Sequence, residues 1–203
     1  MKTSFKRLIL DTATKYLYIA LYEDDRKVEV YYNAGDNDHS VKIVSEIQRM
    51  FHNHHWKISD LSEIIVGIGP GSYTGLRIGV VVAKMFGWNN NIPVRSISSL
   101  ALIASSYQGD KWILAEQDAR RGNSFLGVYE NTGKGLQLVH PEELTNLKDY
   151  QDHLAHPFEV VSSGEPDIGK ILRSNLLHAV EDIHQLSPNY LRKTEAERNK
   201  ENS

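Results

Sequence analysis

The sequence predicts an α/β protein of two lobes, each built around a mixed sheet. Three features of its 203 residues point there: a run of short apolar strands at the start, an alternation of helical and strand patterns behind it, and a smaller repeat of that series after a polar break at Gln108-Gly109-Asp110-Lys111. No heptad, low-complexity tract or short-period repeat interrupts this order.

Leu8-Ile9-Leu10 runs into a turn-like group, Asp11-Thr12-Ala13-Thr14, and Tyr16–Tyr22 and Val28–Tyr32 follow as strands, so the chain opens as a β-meander with Asp11 at the end of its first strand. After the polar stretch 33–39, Asp38 or Ser40 caps a helix reaching about His55. Its apolar residues Val41, Ile43, Val44, Ile47, Met50 and Phe51 spread over about half the circumference, where roughly 100° suffices to face a core, so a second apolar contact is expected. Ile64–Ile68 reads as a strand. The run Gly69-Pro70-Gly71-Ser72-Tyr73-Thr74-Gly75-Leu76-Arg77-Ile78-Gly79 then opens a helix from about Thr74 to Trp88.

That helix is apolar almost all round, with Arg77 and Lys84 marking a narrow polar face. A helix of this kind is either central in a core or shared with a partner. Gly75, Gly79, Ala83 and Gly87, spaced by four, form a ridge of small residues that lets another backbone approach, either the protein's own sheet or a second chain. Asn89-Asn90-Asn91 and Pro93 end it; Val94–Ile97 is a strand, and Ser98 caps a helix to about Tyr107. In the second series, strands at 112–116 and 124–129 flank a hairpin-like connection, 130–157 reads as polar and irregular, Phe158–Ser162 as a strand, and Asp167–His178 as a helix. From Lys193 the chain is a charged tail.

The chain carries 23 Lys and Arg against 26 Asp and Glu, a net charge of −3, which argues against holding nucleic acid alone by phosphate neutralisation. It has no cysteine, which removes disulfides, thiol catalysis and cysteine–zinc sites. The apolar stretch behind the basic N-terminus stops at Asp11, too short for a signal sequence or a membrane span, so a cytoplasmic protein is expected.

The glycine-rich loop invites a phosphate cradle, but Gly75 is followed by Leu76-Arg77 rather than the lysine and hydroxyl of a Walker loop, and no register fits a dinucleotide fingerprint. A strained turn or tight helix entry fits better, with Arg77 able to hold a carboxylate bidentately. Asp11-Thr12-Ala13-Thr14 sits where sugar kinases and actin-like ATPases place Asp-x-Gly-Thr, but Ala13 replaces the glycine that admits a phosphate, and a turn role is the alternative. His52, His54 and His55 lack metal-ligand spacing, and His153 and His156 lack an acidic pair, so a solvated surface is expected; His39 beside Ser40 fits capping. Asp118-Ala119-Arg120-Arg121 can close a local salt bridge or bind a polar ligand.

Taken together, these segments resemble the TsaB (YeaZ) family of tRNA threonylcarbamoyladenosine (t6A) synthesis. The likeness rests on residues 8–22, His39-Ser40, Gly69–Gly79, Ser98-Ser99-Leu100, Asp118–Arg121 and Pro188-Asn189-Tyr190-Leu191-Arg192, in the family's order. Tyr73 stands where phenylalanine is usual, Gln117 where an apolar residue is expected, and the stretch from Gly164 to Pro188 is short, as if the second lobe were reduced. The resemblance implies the actin/Hsp70-like (ASKHA) fold with two RNase H-like lobes: an N-terminal lobe over 1–108 carrying a dimer interface, a smaller lobe over 109–192 and the tail 193–203. It implies a non-catalytic subunit with no cofactor or metal, which packs its first two helices on the catalytic paralogue TsaD, is joined by the ATPase TsaE, forms homodimers through the same surface and meets tRNA only through the complex. The interface expected on this basis is Val41, Val44, Ile47, Gly71, Tyr73, Gly75, Leu76, Arg77, Gly79, Val80 and Ala83. An ATP-dependent phosphotransferase of the same superfamily, with Asp11 positioning magnesium, and a metallopeptidase are the competing functions.

Overall fold

The computed structural model describes residues 4–35 and 38–191; Arg192 and the tail 193–203 lie outside the described residues. Strands β1 (Lys6–Asp11), β2 (Tyr16–Glu23) and β3 (Arg26–Ala34) form the antiparallel meander, and β4 (Glu63–Gly67) and β5 (Val94–Ile97) add to it in parallel through helices α1 (His39–Asn53) and α2 (Tyr73–Asn90). A short strand β10 (His178–Ala179) closes the edge, giving the order β10-β5-β4-β1-β2-β3. Both faces of this sheet are covered, which is why β1 and β4 read as unbroken apolar runs. Leu8, Leu10, Ile64 and Val66 face α1 and α2, while Ile9 and Ile65 face the opposite way, onto helix α3 (Ser99–Ser105).

All seven residues of α3 are buried, because the helix lies between the first sheet and the second. The second sheet consists of β6 (Trp112–Asp118), β7 (Ser124–Thr132), β8 (Gly135–Thr145) and β9 (Phe158–Val161), in the order β8-β7-β6-β9. Its inner face packs on α3 and the five-residue helix α5 (Ile168–Leu172), and its outer face on the equally short α4 (Leu147–Gln151). Six strands against four, and two single-turn helices, make the second lobe the reduced one. This is the ASKHA arrangement expected from the sequence.

Three local expectations are corrected. Residues 135–145 are a strand rather than irregular chain; Pro141, which weakens a strand pattern, is tolerated because β8 lies at the sheet edge, where a missing N–H breaks no inner ladder. The helix expected over Asp167–His178 stops at Leu172, where Ser174 turns its hydroxyl back onto the Ile171 carbonyl. The chain then leaves the second lobe. β10 joins the first sheet, Val180, Ile183 and Leu186 pack on the first core, and Asn189 N–H donates to Ile68 C=O at 2.7 Å, so the C-terminal part of the 109–192 segment belongs structurally to the first lobe.

At the lower end of the first sheet, Glu63 of β4 is gripped from both neighbouring strands. Arg95 reaches it with two bonds of 2.6 and 2.7 Å and Arg7 with one of 3.2 Å. Among the described residues no helix is long and apolar enough to cross a membrane.

Candidate functional site

Two surfaces arise from the glycine-rich loop: the outer face of α1 and α2 on one side, and the cleft between the lobes on the other. Three of the loop's amides already have partners. Gly69 N–H donates to Ser99 Oγ at 3.1 Å, Ser72 N–H to Ala13 C=O at 2.8 Å and Gly75 N–H to the capping hydroxyl of Ser72 at 3.3 Å, so these amides are spent within the protein. Ser99 Oγ in turn donates to Asp11 Oδ1 at 3.0 Å, and that oxygen also accepts from Ala13 N–H. Burial pushes the Asp11 carboxyl up to about 6, while these hydrogen bonds and the nearby His39 pull the other way. Asp11 is therefore a buried turn and tether, and it does not line the cleft where magnesium and phosphate would sit.

The ridge of small residues on α2 faces inward. A Cβ on Gly75 would stand 2.1 Å from the Thr12 carbonyl oxygen, one on Gly79 2.6 Å from Thr12 Oγ1 and one on Gly87 2.7 Å from Val94 Cγ2. Thr12 Oγ1 donates to Gly75 C=O at 2.7 Å and accepts from Gly79 N–H at 3.1 Å, bridging one turn of the helix from the side. Of the two readings left open for this ridge, its close approach is made to the protein's own chain: Gly75 and Gly79 to the β1–β2 turn and Gly87 to Val94 of β5. Gly75, Leu76, Gly79, Val80, Ala83 and, on α1, Ile47 are buried in the chain itself, and Gly71 is half-buried beside Ala13 and Gln117.

The opposite face of α2 is open. Tyr73, Val81, Met85 and Trp88 are exposed within about 120° of arc, with Val81 at 60% and Trp88 at 65%. On the adjoining α1, Val41 is 75% exposed and Val44 is also in water. Of the residues expected at an interface, Val41, Val44, Tyr73 and Arg77 are exposed; Val81, Met85 and Trp88, which that expectation did not include, are exposed as well, in keeping with the all-round apolar pattern of the helix. Arg77 is fixed there. Its Nε donates to Tyr190 Oη at 3.1 Å, its Nη2 donates to Tyr73 Oη, and its guanidinium lies 4.1 Å above the Tyr73 ring. The hydroxyl that Tyr73 adds over phenylalanine has this use.

The cleft encloses about 1160 Å³ between the β1–β2 turn, the start of α2 and the β6–β7 turn. Gln117 spans it, donating from Nε2 to Ala13 C=O at 2.7 Å. In the Asp118–Arg121 turn no local salt bridge forms: Asp118 Oδ1 accepts from Arg120 N–H at 2.7 Å, and both arginine side chains are exposed. Four of the histidines have partners within the fold. His54 pairs with Glu29 at 2.8 Å, His153 bonds the Asp149 carbonyl, His156 stacks on Trp112, and His39 bonds the Thr14 carbonyl through Nε2. Among the described residues no group of three His, Asp or Glu stands close enough to hold a metal.

The family model for TsaD, tRNA N6-adenosine threonylcarbamoyltransferase, matches residues 33–157. The tRNA threonylcarbamoyladenosine biosynthesis protein TsaB of Bacillus subtilis is 31% identical over 94% of this chain and 95% of its own length. The chain belongs to the TsaB family. TsaB of Escherichia coli is 28% identical over 87% of this chain and 83% of its own. Among solved structures, YeaZ from Pseudomonas aeruginosa superposes with a TM-score of 0.76 at 21% identity, covering 92% of this chain and all of the other. Another, an uncharacterized protein described as similar to peptidase YeaZ from Pseudomonas aeruginosa, gives 0.77 at 22% identity over 93% of this chain and all of its own. At these identities they establish the fold alone.

Proposed function

We propose that this chain is a non-catalytic subunit of t6A synthesis that supports a TsaD-type transferase by docking it on the outer face of α1 and α2. The observation that carries this is the exposed apolar set Val41, Val44, Val81, Met85 and Trp88 on two adjoining helices whose other faces already build the core. Apolar surface of this kind, rimmed by polar side chains, marks a protein interface. The names borne by its relatives supply the pathway. In this reading TsaD transfers threonylcarbamoyl to N6 of adenosine 37 of tRNA, TsaE joins the pair, tRNA is met through the complex, and the setting is the cytoplasm. A homodimer through the same face covers the patch when TsaD is absent. The Asp11 carboxylate, buried and bonded to Ala13 and Ser99, favours this reading over a magnesium-dependent phosphotransferase.

The test is co-purification with TsaD of the same cell. The parent chain is expected to bring TsaD down, and Val81→Asp or Trp88→Ala to release it while each variant keeps the parent's circular dichroism. Retention of TsaD by both folded variants would sink the proposal.

A further inference from the structure

We infer that the free edge of β9 binds an extended segment of another protein, which runs parallel to β9 and carries an arginine that pairs with Glu159. The two sheets repeat one order. In the first, the meander β3-β2-β1 is followed by β4 and then β5; in the second, β8-β7-β6 is followed by β9 and, among the described residues, by no further strand. β4 runs parallel to β1 as β9 does to β6, and β5 runs parallel to β4. Residues 68–93 carry α2 from β4 to β5 before the chain enters α3, whereas residues 162–167 lead from β9 directly into α5. α3 and α5 both pack in the core between the sheets, so the second series omits one helix and one strand, and the place of that strand is the outer edge of β9. A strand inside a parallel sheet divides its N–H and C=O groups between two neighbours. β9 has β6 alone, which leaves alternate backbone groups at the edge for a strand added from outside.

The occupied position in the first lobe shows which chemistry fits. Glu63 stands opposite Arg7, the second residue of β1, and Glu159 stands opposite Ile113, the second residue of β6. On the far side of β4, Arg95 of β5 lies opposite Ile65 and reaches back two residues to the Glu63 carboxylate, with bonds of 2.6 and 2.7 Å. Val94, beside it, lies opposite Ile64, and both are buried. The counterparts on β9 are in water. Val160, in the place of Ile64, is 37% exposed, and among the described residues Glu159 meets only Lys111, at 3.5 Å, with the two side chains half exposed. An exposed ion pair of this kind contributes little and yields to a guanidinium held in place by a strand. Pro141 guards β8 at the opposite edge of the sheet, while Phe158–Val161 contains no proline. The occupant is therefore a short run of β-branched residues around one arginine, with the arginine beside Val161 and an apolar side chain beside Val160.

This inference does not depend on the docking face, which lies on the first lobe. The experiment is a nuclear magnetic resonance titration of the isotope-labelled full chain with a synthetic peptide of the β5 sequence, Ile92-Pro93-Val94-Arg95-Ser96-Ile97-Ser98. Saturable shifts confined to β9 and β6, slowed hydrogen exchange at the Phe158 and Val160 amides, and a dissociation constant below about 1 mM would support it. Reversing either charge, with an Arg95→Glu peptide or a Glu159→Lys chain, is expected to weaken binding at least tenfold, and combining the two reversals to restore it. Glu159 is exposed, so the chain variant should keep the parent's circular dichroism. Absence of saturation, shifts centred on β4 instead of β9, or binding indifferent to both reversals overturns the proposal. Sedimentation of the parent as a dimer that Val160→Asp dissolves would give the edge to a second copy of this chain and overturn the partner segment.

Discussion

Ser99 joins two segments that the sequence sets far apart: its hydroxyl donates to Asp11 Oδ1 at 3.0 Å and accepts from Gly69 N–H at 3.1 Å. The end of β1, the start of α3 and the glycine-rich loop therefore meet at one buried carboxylate. Burial raises the folded-state value of Asp11 from the ordinary 3.8 to about 6, so between these values the native state keeps a proton that the unfolded chain has released. The Asp11 contribution thus falls as pH rises through that window and stays lost above it, a difference on the order of 3 kcal/mol. Asp11→Asn keeps the Oδ1 acceptor and removes the titration. Urea unfolding from pH 4.5 to 7.5 is expected to show the parent losing stability relative to the Asn variant across pH 4.5–6 and running parallel to it above. Parallel curves throughout would mean that the carboxyl is not perturbed.

Thr12 and Gly79 make the second prediction. With Thr12 Oγ1 inside van der Waals reach of any Cβ at position 79, Gly79→Ala should cost about 1–3 kcal/mol by overpacking, and Gly79→Leu should prevent folding. Thr12→Val retains the shape but leaves Gly75 C=O and Gly79 N–H without the bridging hydroxyl, at about 1–2 kcal/mol. Urea midpoints decide both, and a stable Gly79→Leu monomer would contradict the inward packing.

These two sites show what was legible in advance. Strand and helix patterns of the first lobe could be read because each covers one periodic face, and Ser98 caps where expected. The direction of the glycine ridge could not be read, since a four-residue spacing states that a backbone comes close without stating whose. Pro141 hid β8, because only its place at a sheet edge makes proline harmless there. The return of residues 178–190 to the first lobe carries no periodic signal at all: two paired residues and a few apolar anchors fix it. Gln117 looked out of place as a polar residue on a strand, and its use appears only once the second lobe faces Ala13.

Glu63 holds the first sheet together across three strands. Removing it leaves Arg95 without an anion and Arg7 with only the exposed Asp25, at 3.6 Å. A buried ion network broken on one side costs about 3–5 kcal/mol, and the partial exposure of Arg95 lowers the expectation for Glu63→Ala to roughly 2–3 kcal/mol. Glu63→Gln should fall between it and the parent, because the amide oxygen still accepts one guanidinium bond. Equal midpoints for all three proteins would show that the arginines are satisfied by water.

Arg77 provides the test of how the docking face recognises its partner. Tyr190 and Tyr73 take two of its donors and fix the guanidinium plane, and no carboxylate of the described chain lies within salt-bridge distance of it. Its remaining donors stay free beside the exposed Val81, the arrangement of an arginine anchor whose ordering cost is met before binding. Under the docking proposal, Arg77→Ala is expected to weaken TsaD capture by about 2 kcal/mol, roughly thirtyfold, with little change in the unfolding midpoint. Tyr190→Phe removes one restraint while leaving the charge, so it should weaken capture less, and Arg77→Lys should fail to restore it because an ammonium cannot make the two-pronged contact. Surface plasmon resonance against immobilised TsaD separates these cases. Full recovery by lysine would show that charge alone matters, and unchanged binding by alanine would remove Arg77 from the interface.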